Sequence, residues 1–171
     1  MIISLIGYRG TGKSTVGKLV AEQLKIQHLD SDNEIVHRAK HSIKEIFESI
    51  GELGFRDLES EIVANLMTQS NAVISWGGGV ILREKNRKLI RKSDHVFWLT
   101  ANPVILNQRI NADAGSALNR PALSNLVGIE EIKSILDQRI PLYDDCASVQ
   151  IATDSKPVDS IAKEIVSFVN A

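Results

Sequence analysis

A glycine-rich segment near the N-terminus has the residue types and spacing of a phosphate-binding loop (P-loop). Residues 7–14 read GYRGTGKS, which fits the pattern G-x-x-x-x-G-K-[ST]. An apolar stretch precedes this segment and a helical pattern follows it, as the motif requires. The pattern predicts that Lys13 reaches the β- and γ-phosphates and that Ser14 offers its hydroxyl to Mg²⁺. The predicted nucleotide-binding residues of this loop are Gly10, Thr11, Gly12, Lys13, Ser14 and Thr15.

Two carboxylates follow the second predicted strand. Asp30 and Asp32 lie at its carboxyl end, and in a parallel sheet that end faces the ligand crevice. One carboxylate can hold Mg²⁺ through water, and the other can accept or orient the proton of a hydroxyl group. The alternative is that either aspartate only caps the helix that begins near Asn33.

An arginine and a glutamate three residues apart form a second candidate site. Arg56 and Glu59 are close enough on a predicted helix to pair. The pair has two interpretations. It is either an exposed ion pair, which contributes about 0–1 kcal/mol, or an arrangement in which Glu59 fixes the guanidinium so that Arg56 binds a carboxylate at two points.

Three consecutive glycines, Gly77, Gly78 and Gly79, follow the third predicted strand. Glycines at this place allow the backbone to approach another group closely, although they also fit a simple turn. No acidic residue ends this strand, so the carboxylate that P-loop proteins usually provide for Mg²⁺ is absent here. The metal role therefore falls to the aspartates after the second strand.

Two further arginines are candidates for phosphate or substrate contacts. Residues 111–125 have no convincing period, which predicts a mobile lid or a disordered stretch, with a plain surface insertion as the alternative. Arg120 on this segment could reach a γ-phosphate when the lid closes. Arg139 lies at the edge of the apolar face of a predicted helix over 129–143, a face that includes Ile140, and exposure to solvent is the default expectation for this arginine.

The elements that position these residues alternate along the chain. Continuous apolar runs predict buried strands, and longer segments with apolar residues at helical spacing separate them. Strands that alternate with helices predict an α/β fold with a parallel sheet covered on both faces. The predicted strands cover residues 2–6, 26–29, 72–74, 96–99 and 148–151.

Composition excludes several classes of protein. The chain has 171 residues, which predicts one domain, and its net charge of −1 argues against a general binder of nucleic acid or anionic membranes. No apolar run approaches the length of about 18 residues that a membrane-spanning helix needs. The single cysteine, Cys146, cannot form an internal disulfide, which favours a reducing, cytoplasmic location. The four histidines show no metal-ligand spacing.

Taken together, the motifs resemble those of the shikimate kinase family. The resembling segments are GYRGTGKS, HLDSDNEI, SIKEIFESIGELGFRDLE, ISWGGG, NRPAL and RIPLYDDCA, which occur in this order over nearly the whole chain. The resemblance implies a three-layer α/β/α P-loop NTPase fold with a five-stranded parallel sheet and a mobile lid. It implies one domain over residues 1–171, with the P-loop at 7–15, a substrate-binding region at 30–62 and the lid at 111–125.

The resemblance also implies an activity and a set of roles. The activity is transfer of the γ-phosphoryl group of ATP to the 3-hydroxyl of shikimate, with Mg²⁺, in the biosynthesis of chorismate and aromatic amino acids. A cytoplasmic monomer without nucleic-acid or membrane partners is expected. Implied catalytic residues are Lys13, Asp32 and Arg120; implied shikimate contacts are Asp32, Arg56, Gly77, Gly78, Gly79 and Arg139. Implied Mg²⁺ ligands are Ser14 and Asp30, and Arg109, Arg120 and Ser155 join the nucleotide contacts.

Two other functions fit parts of the pattern. The first is another small-molecule kinase, such as a gluconate or nucleoside monophosphate kinase. The second is a nucleotide-binding module that has lost transfer activity. Lys13, Ser14, Asp32 and Arg120 argue against the silent module, and Arg56 with Arg139 favours shikimate among the kinases.

Overall fold

Five parallel strands form the centre of the molecule in the computed structural model, which describes residues 1–113 and 128–171. The order of the strands across the sheet is β2-β3-β1-β4-β5. Each predicted strand is confirmed to within one residue at either end. The strands are β1 Ile2–Ile6, β2 Gln27–Asp30, β3 Ala72–Ser75, β4 His95–Thr100 and β5 Val149–Ala152.

Helices cover both faces of this sheet, which confirms the three-layer α/β/α arrangement. Helices α1 and α7 pack on one face, and α3, α4 and α6 pack on the other. The helices of the described ranges are α1 Lys13–Leu24, α2 Ser31–Ala39, α3 Ile43–Leu66, α4 Glu84–Ile90, α5 Pro103–Ala112, α6 Ile129–Cys146 and α7 Val158–Val169.

Successive residues of the central strand divide between the two layers. Ile3 and Leu5 of β1 pack against α1 and α7, whereas Ile6 packs on the opposite face. Because side chains of a strand point alternately to opposite faces, a sheet covered on both sides needs continuous apolar strands. This explains why the apolar runs of the sequence identified the strands.

Local signals set the ends of the helices that approach the site. The Asp30 carboxylate accepts hydrogen bonds from the N–H groups of Asp32 and Asn33 and so caps α2. Ser42 and Glu45 form a reciprocal capping box at the start of α3. Helix α3 breaks at Gly51, where φ is 70° and ψ is −179°, a backbone conformation that glycine adopts without the strain of a side chain.

The predicted lid at 111–125 is described only at its beginning. Helix α5 continues through Ala112, so the first two residues of the predicted segment are helical rather than irregular. Residues 114–127, which include Arg120, lie outside the described residues. In the two ranges that are described, no helix has both the length and the apolar character needed to cross a bilayer.

Candidate active site

The P-loop connects β1 to α1 at the carboxyl edge of the sheet. Gly12 is the N-cap of α1 with φ at 90°, a left-handed conformation that L side chains rarely adopt. The Lys13 ammonium is buried and donates hydrogen bonds to the carbonyls of Gly7 at 2.8 Å and Tyr8 at 2.9 Å. The loop therefore places its cation beside the N-terminus of a helix, which favours binding of an anionic phosphate.

Asp30 has two roles rather than one. One carboxylate oxygen caps α2, and the other accepts a hydrogen bond of 2.6 Å from the hydroxyl of Ser14. The sequence alone offers a helix cap and a carboxylate that faces the crevice as alternatives, whereas in the structure Asp30 has both roles. The pair brings two oxygen donors together at the entrance of the P-loop, and oxygen donors are the ligands that Mg²⁺ prefers.

Arg56 and Glu59 form a buried pair, so the exposed ion-pair interpretation is wrong. Arg56 is 7% exposed and Glu59 is 2% exposed. One guanidinium nitrogen of Arg56 donates to both carboxylate oxygens of Glu59, at 2.9 and 3.0 Å. The guanidinium also lies 5.1 Å from the centre of the Phe55 ring. Burial raises the pKa of Glu59 to about 7, although the charge of Arg56 opposes this rise.

The three glycines after β3 bring the backbone against two candidate site residues, Asp32 and Arg56. The Gly77 N–H donates to the hydroxyl of Ser31 at 2.8 Å. A Cβ atom at position 77 would collide with Asp32 Oδ1, and one at position 79 would lie 2.5 Å from an Arg56 nitrogen. The segment does form a turn, in which the Val80 N–H donates to the Gly77 carbonyl at 3.0 Å, but a turn alone is not its whole role, because Asp32 and Arg56 occupy the space that side chains would need.

Arg139 is buried, contrary to the expected solvent exposure. It is 8% exposed, whereas its neighbour Ile140, which the apolar pattern placed on the packed face, is 43% exposed. One guanidinium nitrogen donates to the Gly78 carbonyl at 3.2 Å, and the hydroxyl of Tyr143 donates to the same oxygen at 2.6 Å. Helix α6 thus directs the Arg139 side chain towards the glycine segment after β3, where the Gly78 carbonyl accepts its hydrogen bond.

These residues line two adjoining pockets. The first, with a volume of about 70 Å³, is bordered by both buried arginines, and the second, of about 220 Å³, by the P-loop and Asp30. Asp32 stands at the junction of the two pockets. The residues that line both are Arg9, Asp32, Gly77 and Gly78. The arrangement gives one crevice with an end suited to phosphates and an end suited to a small molecule that carries a carboxylate.

The nucleotide side has one further connection. Arg109 of α5 donates to the Gly10 carbonyl at 3.3 Å and to the Thr153 carbonyl at 2.7 Å. It therefore joins the P-loop to the segment at 151–157. Ser155 of that segment and Thr15 of α1 are exposed.

Sequence reasoning missed residues that line the crevice, among them Tyr8, Arg9 and Phe47, and it missed Tyr143, which bonds to the Gly78 carbonyl from outside the pocket. Arg9 occupies a freely variable position of the P-loop pattern, so the motif contains no signal for it. Tyr143 follows Arg139 by four residues on a helix, a spacing that places both on one face.

In the described part of the chain, no three histidine, cysteine or acidic side chains form a metal-binding group.

Comparisons with known proteins agree on one family. A family model described as shikimate kinase matches residues 9–170. The shikimate kinase of Rhodopirellula baltica is 40% identical over 95% of this chain and 87% of its own length, and that of Caldicellulosiruptor saccharolyticus is 37% identical over 97% and 94%. The structure of shikimate kinase from Acinetobacter baumannii in complex with shikimate is similar with a TM-score of 0.92 and 32% identity, covering 99% of this chain and 92% of that one.

Proposed function

This chain belongs to the shikimate kinase family and is an ATP-dependent kinase that acts on shikimate, and we propose that transfer takes place in the crevice described above. The observation that carries this proposal is the placement of Arg56 and Arg139. Both are buried, and both border the pocket that Asp32 joins to the P-loop. Two buried guanidinium groups suit the carboxylate of a small acceptor.

The acceptor end binds and orients shikimate. Arg56 and Arg139 bind its carboxylate, and Glu59 holds the Arg56 guanidinium in one orientation through two hydrogen bonds. Backbone groups of Gly77, Gly78 and Gly79 complete the contact surface. A carboxylate held at two points places the ring hydroxyls in a defined position, which lowers the entropic part of the barrier.

The reacting end combines a base with positive charge. Asp32 accepts or orients the proton of the 3-hydroxyl, and the oxygen of that hydroxyl then attacks the γ-phosphorus of ATP. Lys13 and Arg120 face the phosphates and stabilise the charge that develops as ADP leaves. The assignment of Arg120 rests on the sequence, which predicts that residues 111–125 form a lid that closes over the phosphates.

Ser14 and Asp30 are proposed to hold Mg²⁺. They fit this role because a hydroxyl and a carboxylate oxygen lie 2.6 Å apart at the entrance of the P-loop, and Mg²⁺ usually keeps several waters beside few protein ligands. When bound, the ion neutralises charge on the phosphates. Substituting Asp30 by asparagine is expected to raise the Mg²⁺ concentration needed for half-maximal turnover.

The nucleotide end is proposed to consist of the P-loop residues Gly10, Thr11, Gly12 and Thr15 together with Arg109 and Ser155. Arg109 supports this assignment because its guanidinium bridges the Gly10 carbonyl and Thr153, and so connects the P-loop to the segment that contains Ser155. We further propose that the chain is one functional domain, that it acts as a monomer in the cytoplasm, and that it has no nucleic-acid partner.

A coupled assay of ADP release tests the proposed acceptor. Release with ATP, Mg²⁺ and shikimate is expected to exceed release with water by orders of magnitude, whereas gluconate and nucleoside monophosphates should remain at the water rate. Equal release with and without shikimate would contradict the kinase assignment and favour a silent module. Faster release with gluconate or a monophosphate would move the assignment to another small-molecule kinase.

A further inference from the structure

The carbonyl oxygen of Gly78 receives two hydrogen bonds from α6. Tyr143 donates its hydroxyl at 2.6 Å, and Arg139 donates a guanidinium N–H at 3.2 Å. A carbonyl oxygen has two lone pairs, so two donors satisfy it. The oxygen thus connects a residue proposed to bind the substrate to a tyrosine that does not border the substrate pocket.

The Tyr143 side chain is held in place independently of this hydrogen bond. It is completely buried, and its ring is stacked on Trp98 with 5.6 Å between centroids and 21° between planes. Burial raises the pKa of its hydroxyl well above the ordinary value, so the phenol remains a donor throughout the neutral range. The hydroxyl is therefore a rigid donor that approaches the glycine segment from α6.

Fixing this carbonyl also fixes the next N–H group. The Gly78–Gly79 peptide is planar and trans, so its N–H points away from its carbonyl. Among the described residues, the N–H groups of Gly78 and Gly79 have no hydrogen-bond acceptor, and both glycines border the substrate pocket. The Gly79 N–H is thus a donor available to a bound oxygen, with a direction that depends on the Gly78 carbonyl.

We infer that Tyr143 is a positioning residue for shikimate binding: its hydroxyl holds the Gly78 carbonyl and thereby orients both the Arg139 guanidinium and the Gly79 N–H. The inference rests on the proposed function. It assigns Tyr143 to the acceptor end alone, because it bonds to the glycine segment and not to the P-loop. Stacking of the ring on Trp98 fixes the position of the hydroxyl, and the hydroxyl orients the Arg139 guanidinium and the Gly79 N–H.

The test is Tyr143→Phe, which keeps the buried ring and removes only the hydroxyl. The KM for shikimate is expected to rise about 3- to 10-fold, the value of one neutral hydrogen bond. The kcat and the KM for ATP should stay within about twofold of wild type. The double variant with Arg139→Lys should raise the KM by less than the product of the two single effects, because both side chains act through one oxygen.

A matched control separates positioning from general loss of stability. Ser93→Ala also removes a hydroxyl from a hydrogen bond, the 2.7 Å contact with Ser4, just before the amino end of β4. Its melting temperature is expected to fall while the KM for shikimate remains at the wild-type value. If Ser93→Ala and Tyr143→Phe raise that KM equally, the effect is structural and the inference is wrong.

Calorimetric titration with shikimate distinguishes failure of this inference from failure of the proposed function. Binding by wild type with a weaker Kd for Tyr143→Phe supports the inference. Equal Kd values for the two proteins, or a Tyr143→Phe effect confined to ATP, overturn it and leave the proposed function intact. No shikimate binding by wild type would reject the proposed function and this inference together.

Discussion

Replacing Glu59 by glutamine is expected to remove a pH dependence from the stability of the protein. Glu59 has an ordinary pKa of 4.5 in the unfolded chain and a pKa of about 7 in the folded protein, mainly because burial penalises its charged form. The folded state therefore holds this proton more tightly than the unfolded state. The stabilisation that Glu59 contributes is fully present below pH 4.5 and is lost as pH rises through about 7.

The size of this effect follows from the two pKa values. Each pKa unit corresponds to about 1.4 kcal/mol, so a rise of between two and three units gives about 3 kcal/mol. The side chain is almost fully buried, so solvent screening does not reduce this value appreciably. Glutamine has a similar size and does not titrate. The wild-type free energy of unfolding minus that of Glu59→Gln should therefore fall by about 3 kcal/mol between pH 4.5 and pH 8.

Urea denaturation of both proteins at closely spaced pH values measures this difference directly. Exposed carboxylates whose pKa values are lowered by neighbouring arginines, such as Asp57 and Asp145, titrate in both proteins and cancel. Glu61→Gln is the matched control, because Glu61 lies on the same helix with an exposed side chain. Its stability should follow that of wild type across the range. A wild-type minus Glu59→Gln difference that stays constant to within about 0.5 kcal/mol, or rises with pH, would refute the reasoning.

Three further predictions concern catalysis and substrate binding. Asp32→Asn should fold normally but lose about 10²–10⁴ in kcat, the usual worth of general acid–base assistance, and a kcat within about threefold of wild type would show that Asp32 is not a base. Arg56→Lys and Arg139→Lys should each raise the KM for shikimate roughly 10- to 150-fold in steady-state kinetics while ATP binding is retained; loss of ATP affinity instead would place them at the wrong end of the crevice. Arg120→Ala should lower kcat and kcat/KM together by about 10³ and leave shikimate binding near wild type, whereas a normal kcat with a raised KM for ATP would make Arg120 a nucleotide clamp.

The phosphate end of the crevice could be predicted from the sequence because its determinants are local. The loop between β1 and α1 depends on glycines at fixed offsets, and Lys13 and Ser14 follow them directly. Strand, loop and helix are therefore specified within about two dozen residues. Capping by Asp30 or Asp32 is one of the two alternatives that the sequence offers, for the same reason, since an N-cap contacts only the next turn of its own helix.

The acceptor end could be predicted only in part. The spacing of Arg56 and Glu59 predicts that they pair, but their burial depends on the packing of α3 against the glycine segment, which is distant in sequence. Arg139 shows a different limit. An apolar pattern counts arginine as polar and so placed Ile140 on the packed face, whereas the Gly78 carbonyl makes the buried position favourable for Arg139. A local sequence pattern could not predict this contact, because Gly78 is distant from Arg139 in the sequence.

The glycine segment at 77–79 has a consequence for drug resistance. Gly77, Gly78 and Gly79 line the pocket with main-chain atoms only. The peptide N–H and carbonyl groups remain the same whichever residue other than proline is substituted at these positions. A side chain added at position 77 would displace Asp32, and one at position 79 would displace Arg56. If Asp32 and Arg56 have the roles proposed above, substitutions that weaken binding of an inhibitor to the peptide groups of this segment are expected to lower the activity of the enzyme as well.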